Sequence, residues 1–124
     1  MQYPVLSMKL NTGLPLDCTN NHKKIKFENF ELLTSRPNNC CITKFKDILV
    51  INHIGKQNGE IVVIAKKVIE KVGVDNYPTD SMQFGICQIK KLSDIQVFKA
   101  TDIERKAVMF DYKRNTYIVP LLHS

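Results

Sequence analysis

Residues 48–66 read ILVINHIGKQNGEIVVIAK. Two apolar, β-branched runs, 48–54 and 60–66, flank the loop Gly55-Lys-Gln-Asn-Gly59. Asn58-Gly59 is the pair that a two-residue type I′ turn favours, because both central residues must take positive φ. An Asn-Gly between apolar runs is the strongest local hairpin signal, so 48–54 is expected to pair antiparallel with a strand opening near Glu60. A competing pattern runs through the same segment. Ile61, Ile64, Ala65, Val68, Ile69 and Val72 also fall at helical spacing, with Lys66, Lys67, Glu70 and Lys71 opposite. The run Ile61-Val-Val-Ile64 is a poor helix start, so the reading is a strand over 60–66 closed by a helical turn around Ile69. A helix over 61–72 is the alternative.

Working outward, short-strand signals continue on both sides. Ile25 and Phe27 alternate with Lys24, Lys26 and Glu28, and the phase then flips to Phe30 and Leu32. Such a flip requires a tight turn or bulge at Glu28-Asn29. Arg36-Pro-Asn-Asn39 is a turn cluster, and an apolar segment follows over 40–45. Residues 73–81 read as a loop carrying Tyr77-Pro78, and 84–90 and 95–99 as two further short strands. Thr101-Asp-Ile-Glu104 has the form of a capping box and predicts one short helical turn. A last hairpin joins 105–112 to 116–121. In it Val108, Phe110 and Tyr112 share one face, and Tyr117, Val119 and Leu121 share a face of the partner strand. Residues 1–22 hold Pro4, Gly13, Pro15 and Thr19-Asn-Asn21 without a sustained period, and read as an irregular lead-in with one strand near 5–10. The domain proper spans 23–124. The expected fold is all-β: a small barrel-like domain of about seven or eight short antiparallel strands with one or two helical turns.

The 124 residues suit one domain, and 44% hydrophobic with 24% charged residues is an ordinary globular balance. No apolar run reaches the roughly 18 residues of a membrane-crossing helix. The first residues lack the basic start and apolar centre of a secretory leader, so an intracellular setting, nuclear or cytoplasmic, is expected. In that setting Cys18, Cys40, Cys41 and Cys87 are expected as reduced thiols. Adjacent Cys40 and Cys41 point to opposite sides of a strand, with one of them buried. Eighteen Lys and Arg against twelve Asp and Glu give a net charge of +6. The excess favours an anionic partner; a solvated Lys-rich surface is the plainer reading.

Signatures of catalysis fail in turn. The glycines form no phosphate loop or dinucleotide fingerprint. There is no Gly-x-Ser-x-Gly elbow and no His-Glu-x-x-His. Cys87 with His53 lacks a visible orienting group, so a small enzyme ranks third among the readings. A zinc site from Cys18, His22, Cys40 and Cys41 is disfavoured, since adjacent strand cysteines diverge; no metal and no cofactor are expected. His53 reads as a packed or capped histidine. Lysines beside aromatics, in Lys24-Ile-Lys-Phe27, Lys44-Phe45 and Phe98-Lys99, suit nucleic-acid contact. Phe27, Phe45 and Phe98 themselves are expected in the core. The candidate binding residues are therefore Lys23, Lys24 and Lys26, with Tyr77 as a loop aromatic.

Across 23–123 the chain resembles a carboxy-terminal β domain of uncharacterised, transposon-like arthropod proteins. The likeness rests on Lys24-Ile-Lys-Phe27, Leu33-Thr-Ser35, Asn38-Asn-Cys-Cys-Ile42, Asn52-His-Ile54, residues 60–67, Tyr77-Pro78 with Ser81, Phe84-Gly-Ile86, Lys91-Leu-Ser93, Asp102-Ile-Glu-Arg-Lys106 and Tyr117-Ile-Val-Pro-Leu-Leu-His123. In those proteins the domain follows a zinc-finger or transposase-like region, so the chain would be a truncated or free-standing copy. Residues 97–108 also resemble the end of a bromo-adjacent-homology domain. These resemblances imply a β-barrel interaction module and supply no catalytic residues. The expectation is a non-enzymatic module for an acidic partner, either nucleic acid or a chromatin-associated protein. The alternative is a protein–protein or self-association domain.

Overall fold

Among the described residues, alternation resolves into nine strands: β1 (Val5–Lys9), β2 (Thr19–Lys26), β3 (Glu31–Leu33), β4 (Cys40–Thr43), β5 (Ile48–Gln57), β6 (Glu60–Gly73), β7 (Cys87–Lys99), β8 (Ile103–Tyr112) and β9 (Asn115–Pro120). The structure is a computed structural model and describes residues 5–9, 19–73 and 86–121. Among these, the only helical element is a 3-10 turn, Ala100–Asp102, between β7 and β8. Tyr77 and Cys18 lie outside the described residues.

All strands join one antiparallel sheet in the order β1-β2-β5-β4-β8-β9-β7-β6, and β5 pairs with β6 as well. That second pairing closes β5, β4, β8, β9, β7 and β6 into a six-stranded ring, which protects edges that an open sheet would expose. The seam between β7 and β9 is short, with Cys87 opposite Ile118 and Gln88 opposite Tyr117. Outside the ring, β1 and β3 both pair with β2, which reaches β5 through His22 opposite Ile54. The fold is therefore the expected all-β, barrel-like one. β1 is the strand expected near 5–10, whereas the start of β2 falls in the stretch read as irregular; both are in the sheet.

Asn58 and Gly59 turn at φ 53° and 81°, and β5 and β6 pair from Gln57 opposite Glu60. The helical turn expected around Ile69 does not form: β6 runs on to Gly73. Its pairing with β7 shifts register three times, between Lys66 and Val68, Val68 and Glu70, and Glu70 and Lys71. Each shift resets which face a residue occupies, so a bulged strand imitates helical spacing. Residues 91–94, read as a break, likewise belong to one continuous β7. At the first shift the Lys67 amide donates to Ser93 Oγ at 2.9 Å, so a side chain replaces the missing ladder acceptor. The capping box at Thr101 is also absent. Lys99 stands at the turn's N-cap without a side-chain cap, and Glu104 is drawn to Lys46 Nζ at 3.3 Å instead.

Both faces of the β4–β5 pair are buried. One face carries Cys40, Ile42, Ile48 and Val50 into a cluster with Cys87, Ala107, Met109 and Ile118, joined by half-buried Val68, Ile89 and Leu92. All six ring strands contribute, so this is the ring interior. The other face carries Cys41, Leu49, Ile51 and Ile54 against Ile25, Phe27, Phe30, Leu32, Ala100 and Ile103. Phe27 and Phe30 stack there with centroids 4.7 Å apart, across the bend that the phase flip predicts. Only one of Cys40 and Cys41 was expected inside; both are fully buried, because the ring covers one face and a flap formed by β1, β2 and β3 covers the other. Phe98 packs half-buried on the outer layer, whereas Phe45, expected in the core, is 65% exposed in the β4–β5 turn. Its neighbour Lys44 lies 5.3 Å from the ring centroid and 3.2 Å from Asp102.

Candidate functional site

The ring interior takes the small or flexible side chains of the last hairpin, Ala107 and Met109 with Ile118. A six-stranded ring leaves little room inside. The bulky residues between them therefore face outward. Cross-strand partners Val108 and Val119, then Phe110 and Tyr117, form a strip on the outer face of β8 and β9. Phe110 stacks on Tyr117 with centroids 5.5 Å apart and ring planes 22° apart. Phe110 is 41% exposed, and Tyr112, one pair further on, 57%.

The strip ends in the turn Lys113-Arg114. Both residues hold positive φ, 50° and 68°, where β-hairpins favour Asn-Gly. Lys113 Nζ sits 5.3 Å from the Tyr112 ring centroid. Neither Lys113 nor Arg114 has a carboxylate within 4.0 Å among the described residues. The nearby acid, Asp111, is already answered by Arg36 at 2.6 Å and by the Thr116 hydroxyl at 2.7 Å. The face thus combines flat aromatic surface with two unanswered cations.

The lysines picked from the sequence lie elsewhere, on β2. Ile25 and Phe27 are buried, and Lys23 and Lys26 are exposed. Lys24 is held by Glu31 at 2.7 Å. That contact, aided by Lys26 and Lys106, keeps the Glu31 carboxyl below its usual range. Lys24 and Lys26 therefore flank an acid, and the local field of this cluster is weaker than the sequence suggests. The aromatic strip was legible as alternation at Val108, Phe110 and Tyr112. What the sequence lacked was its sense, since aromatic strand residues pack inward more often than outward.

Residues 8–121 match the family model described as Domain of unknown function (DUF8592). The chain belongs to this family. No curated protein and no solved structure matches it. For this DUF8592 chain the chemistry of the described residues is that of surfaces and thiols. Among them no three His, Cys, Asp or Glu residues gather at metal-binding distance. Burial pushes the Cys40 thiol up to about 12, and raises Cys41 and Cys87 as well. His53 is half-buried next to the irregularity between Ile51 and His53 in β5.

Proposed function

We propose that this chain is a non-enzymatic binding module that takes single-stranded nucleic acid on the outer face of β8 and β9. The observation carrying the reading is the stack of exposed Phe110 on half-buried Tyr117, leading to Tyr112, Lys113 and Arg114. Unpaired bases stack on aromatic faces with roughly 1–3 kcal/mol each, and lysine and arginine beside them engage the phosphates. Duplex is disfavoured as the partner, because its bases are already stacked on one another. A net charge of +6 supports a polyanion over a neutral partner. Backbone strain at Lys113 and Arg114 adds weight: strained conformations concentrate where side-chain identity matters more than stability.

A protein partner, including a second copy, is the other reading that the strip of half-buried Val108 and exposed Phe110 and Tyr112 supports. Fluorescence anisotropy with labelled oligo-U and oligo-dT at 50 mM salt separates the two. Nucleic-acid binding is expected to fall about tenfold or more in Phe110→Ala with Tyr117→Ala, from the stacking energies above. It should fall with salt at a log–log slope of about −1.4, for two phosphates on a single strand. No binding at low salt overturns the nucleic-acid reading. Salt-insensitive self-association that the same substitutions abolish establishes the alternative.

A further inference from the structure

Among the described residues, a cavity lies at one end of the ring. The cavity there has a volume of about 260 Å³ and is lined by Ile42, Lys46, Ile48, Lys71, Cys87, Arg105 and Pro120. Each of the six ring strands contributes one of these residues, and the β4–β5 turn adds Lys46. The lining is an apolar floor under a cationic rim. Ile42, Ile48 and Cys87 belong to the ring interior, and Arg105 stands opposite Ile42 in the β4–β8 ladder. Among the described residues that line it, none is acidic. Lys46 is answered by Glu104 at 3.3 Å. Lys71 and Arg105 have no ion-pair partner among the described residues.

We infer that this cavity binds a small organic anion, its carboxylate held by Arg105 and Lys71 and its short apolar body resting on Ile42, Ile48 and Pro120. Charge and size both select this class. Two unanswered cations beside an apolar floor favour a ligand that is anionic at one end only, since a wholly ionic ligand would leave the floor facing polar atoms. The volume lies just below the roughly 300 Å³ at which ordinary ligand pockets begin, which suits a short acyl or aryl acid and not a nucleotide. Burial keeps the Cys87 thiol protonated even beside Lys71, so it offers no competing negative charge. The site is independent of the aromatic strip: its cations come from β6 and β8 at the ring mouth, not from the β8–β9 turn.

Octanoate titration of the full chain, followed by isoleucine methyl resonances and by calorimetry, tests the site. Saturable binding that moves the Ile42 and Ile48 methyls is expected, with octan-1-ol at least about tenfold weaker, since it lacks the charge-assisted contacts. Arg105→Gln and Lys71→Gln should each weaken octanoate about tenfold, and Arg105→Lys should restore part of the loss. Unchanged unfolding midpoints show that these variants stay folded. Equal binding of octanol and octanoate overturns the proposal in favour of a plain apolar slot. Inorganic phosphate binding as tightly as octanoate reduces the site to bare cations. Tighter binding of a tripeptide ending in a free leucine carboxylate, but not of its amide, reassigns it to a peptide terminus. Absence of binding by every probe rejects it.

Discussion

Arg114 occupies in the β8–β9 turn the position that Gly59 occupies in the β5–β6 turn, at nearly the same backbone angle: φ is 68° for Arg114 and 81° for Gly59. Both are the second residue of a two-residue loop, closing Tyr112 onto Asn115 and Gln57 onto Glu60. Glycine adopts this angle freely, whereas a side chain there crowds its own backbone. The two hairpins solve the same geometric problem, one with a relaxed residue and one with a strained cation.

Arg114→Gly is therefore expected to raise unfolding free energy by about 0.5–1 kcal/mol, the strain released less the chain entropy gained. The same change removes a cation from the proposed nucleic-acid face, so oligo-dT affinity should fall while the unfolding midpoint rises. Urea melts and anisotropy on the one variant read both. A stabilised protein with unchanged affinity would detach Arg114 from the proposed function.

Gly59→Ala tests the converse. An added Cβ meets nothing within 4 Å, so no clash contributes. The left-handed backbone penalty, less the chain entropy that alanine removes from the unfolded state, remains, and a loss of about 0.5–1 kcal/mol is expected in denaturant melts. A neutral result would mean that the turn relaxes to another type.

Stability should decline at alkaline pH through the buried thiols. Cys40 is held up at about 12, and Cys41 is raised as well, both by burial. A thiol raised in the folded state keeps its proton there while the unfolded chain releases it. Its contribution is thus fully present below the unfolded value, near 8.5, and is lost as pH climbs through the folded value. Between about pH 9 and 11 the slope per thiol should approach about −1.4 kcal/mol per pH unit. Cys40→Ala should flatten that slope, as read from urea melts at stepped pH. In the native state at pH 8, Cys40, Cys41 and Cys87 should resist alkylation, since the thiolate is the reactive form.

The two apolar layers share β4 and β5, so they should unfold together. Met109→Ala empties part of the ring interior and Ile25→Ala part of the outer layer; each is expected to cost about 2–5 kcal/mol. One cooperative transition should persist in both variants. A separate early transition in Ile25→Ala alone would show that the β1–β3 flap detaches from the ring.

Changing Lys23, Lys24 and Lys26 together to glutamate should weaken nucleic-acid binding less than changing Lys113 and Arg114, despite the larger charge difference. Lys24 is already engaged by Glu31, whereas the turn cations are unanswered. Anisotropy at 50 mM salt, with Lys90 and Lys91 changed as a control for bulk charge, ranks the three surfaces. Equal losses in all three would reduce the effect to net charge.

Much of the fold was legible because β-structure leaves a local trace. Asn58-Gly59 marked the central hairpin, the flip at Glu28-Asn29 marked the bend, and alternation marked β8 and β9. The failures lie where pairing breaks its own period. At Ile69 and Ser93 the register shifts depend on a partner strand some 25 residues away, and alternation within one strand carries no record of them.

Residue order alone determined that the chain would build antiparallel strands, where two of its hairpins would turn, and that Val108, Phe110 and Tyr112 would share a side. Strand propensity, turn chemistry and the period of two act over a few residues. Tertiary structure alone decided which side of a strand is inside. Closure of β5 onto β6 made a ring too narrow for the hairpin's aromatics, so Ala107 and Met109 turned in and Phe110 and Tyr117 turned out. The same closure buried Cys40 in the ring and left Cys41 under the flap, and gathered Lys71, Cys87 and Arg105 around one mouth. Those outcomes depend on the space enclosed by six strands together, a quantity that no single segment contains.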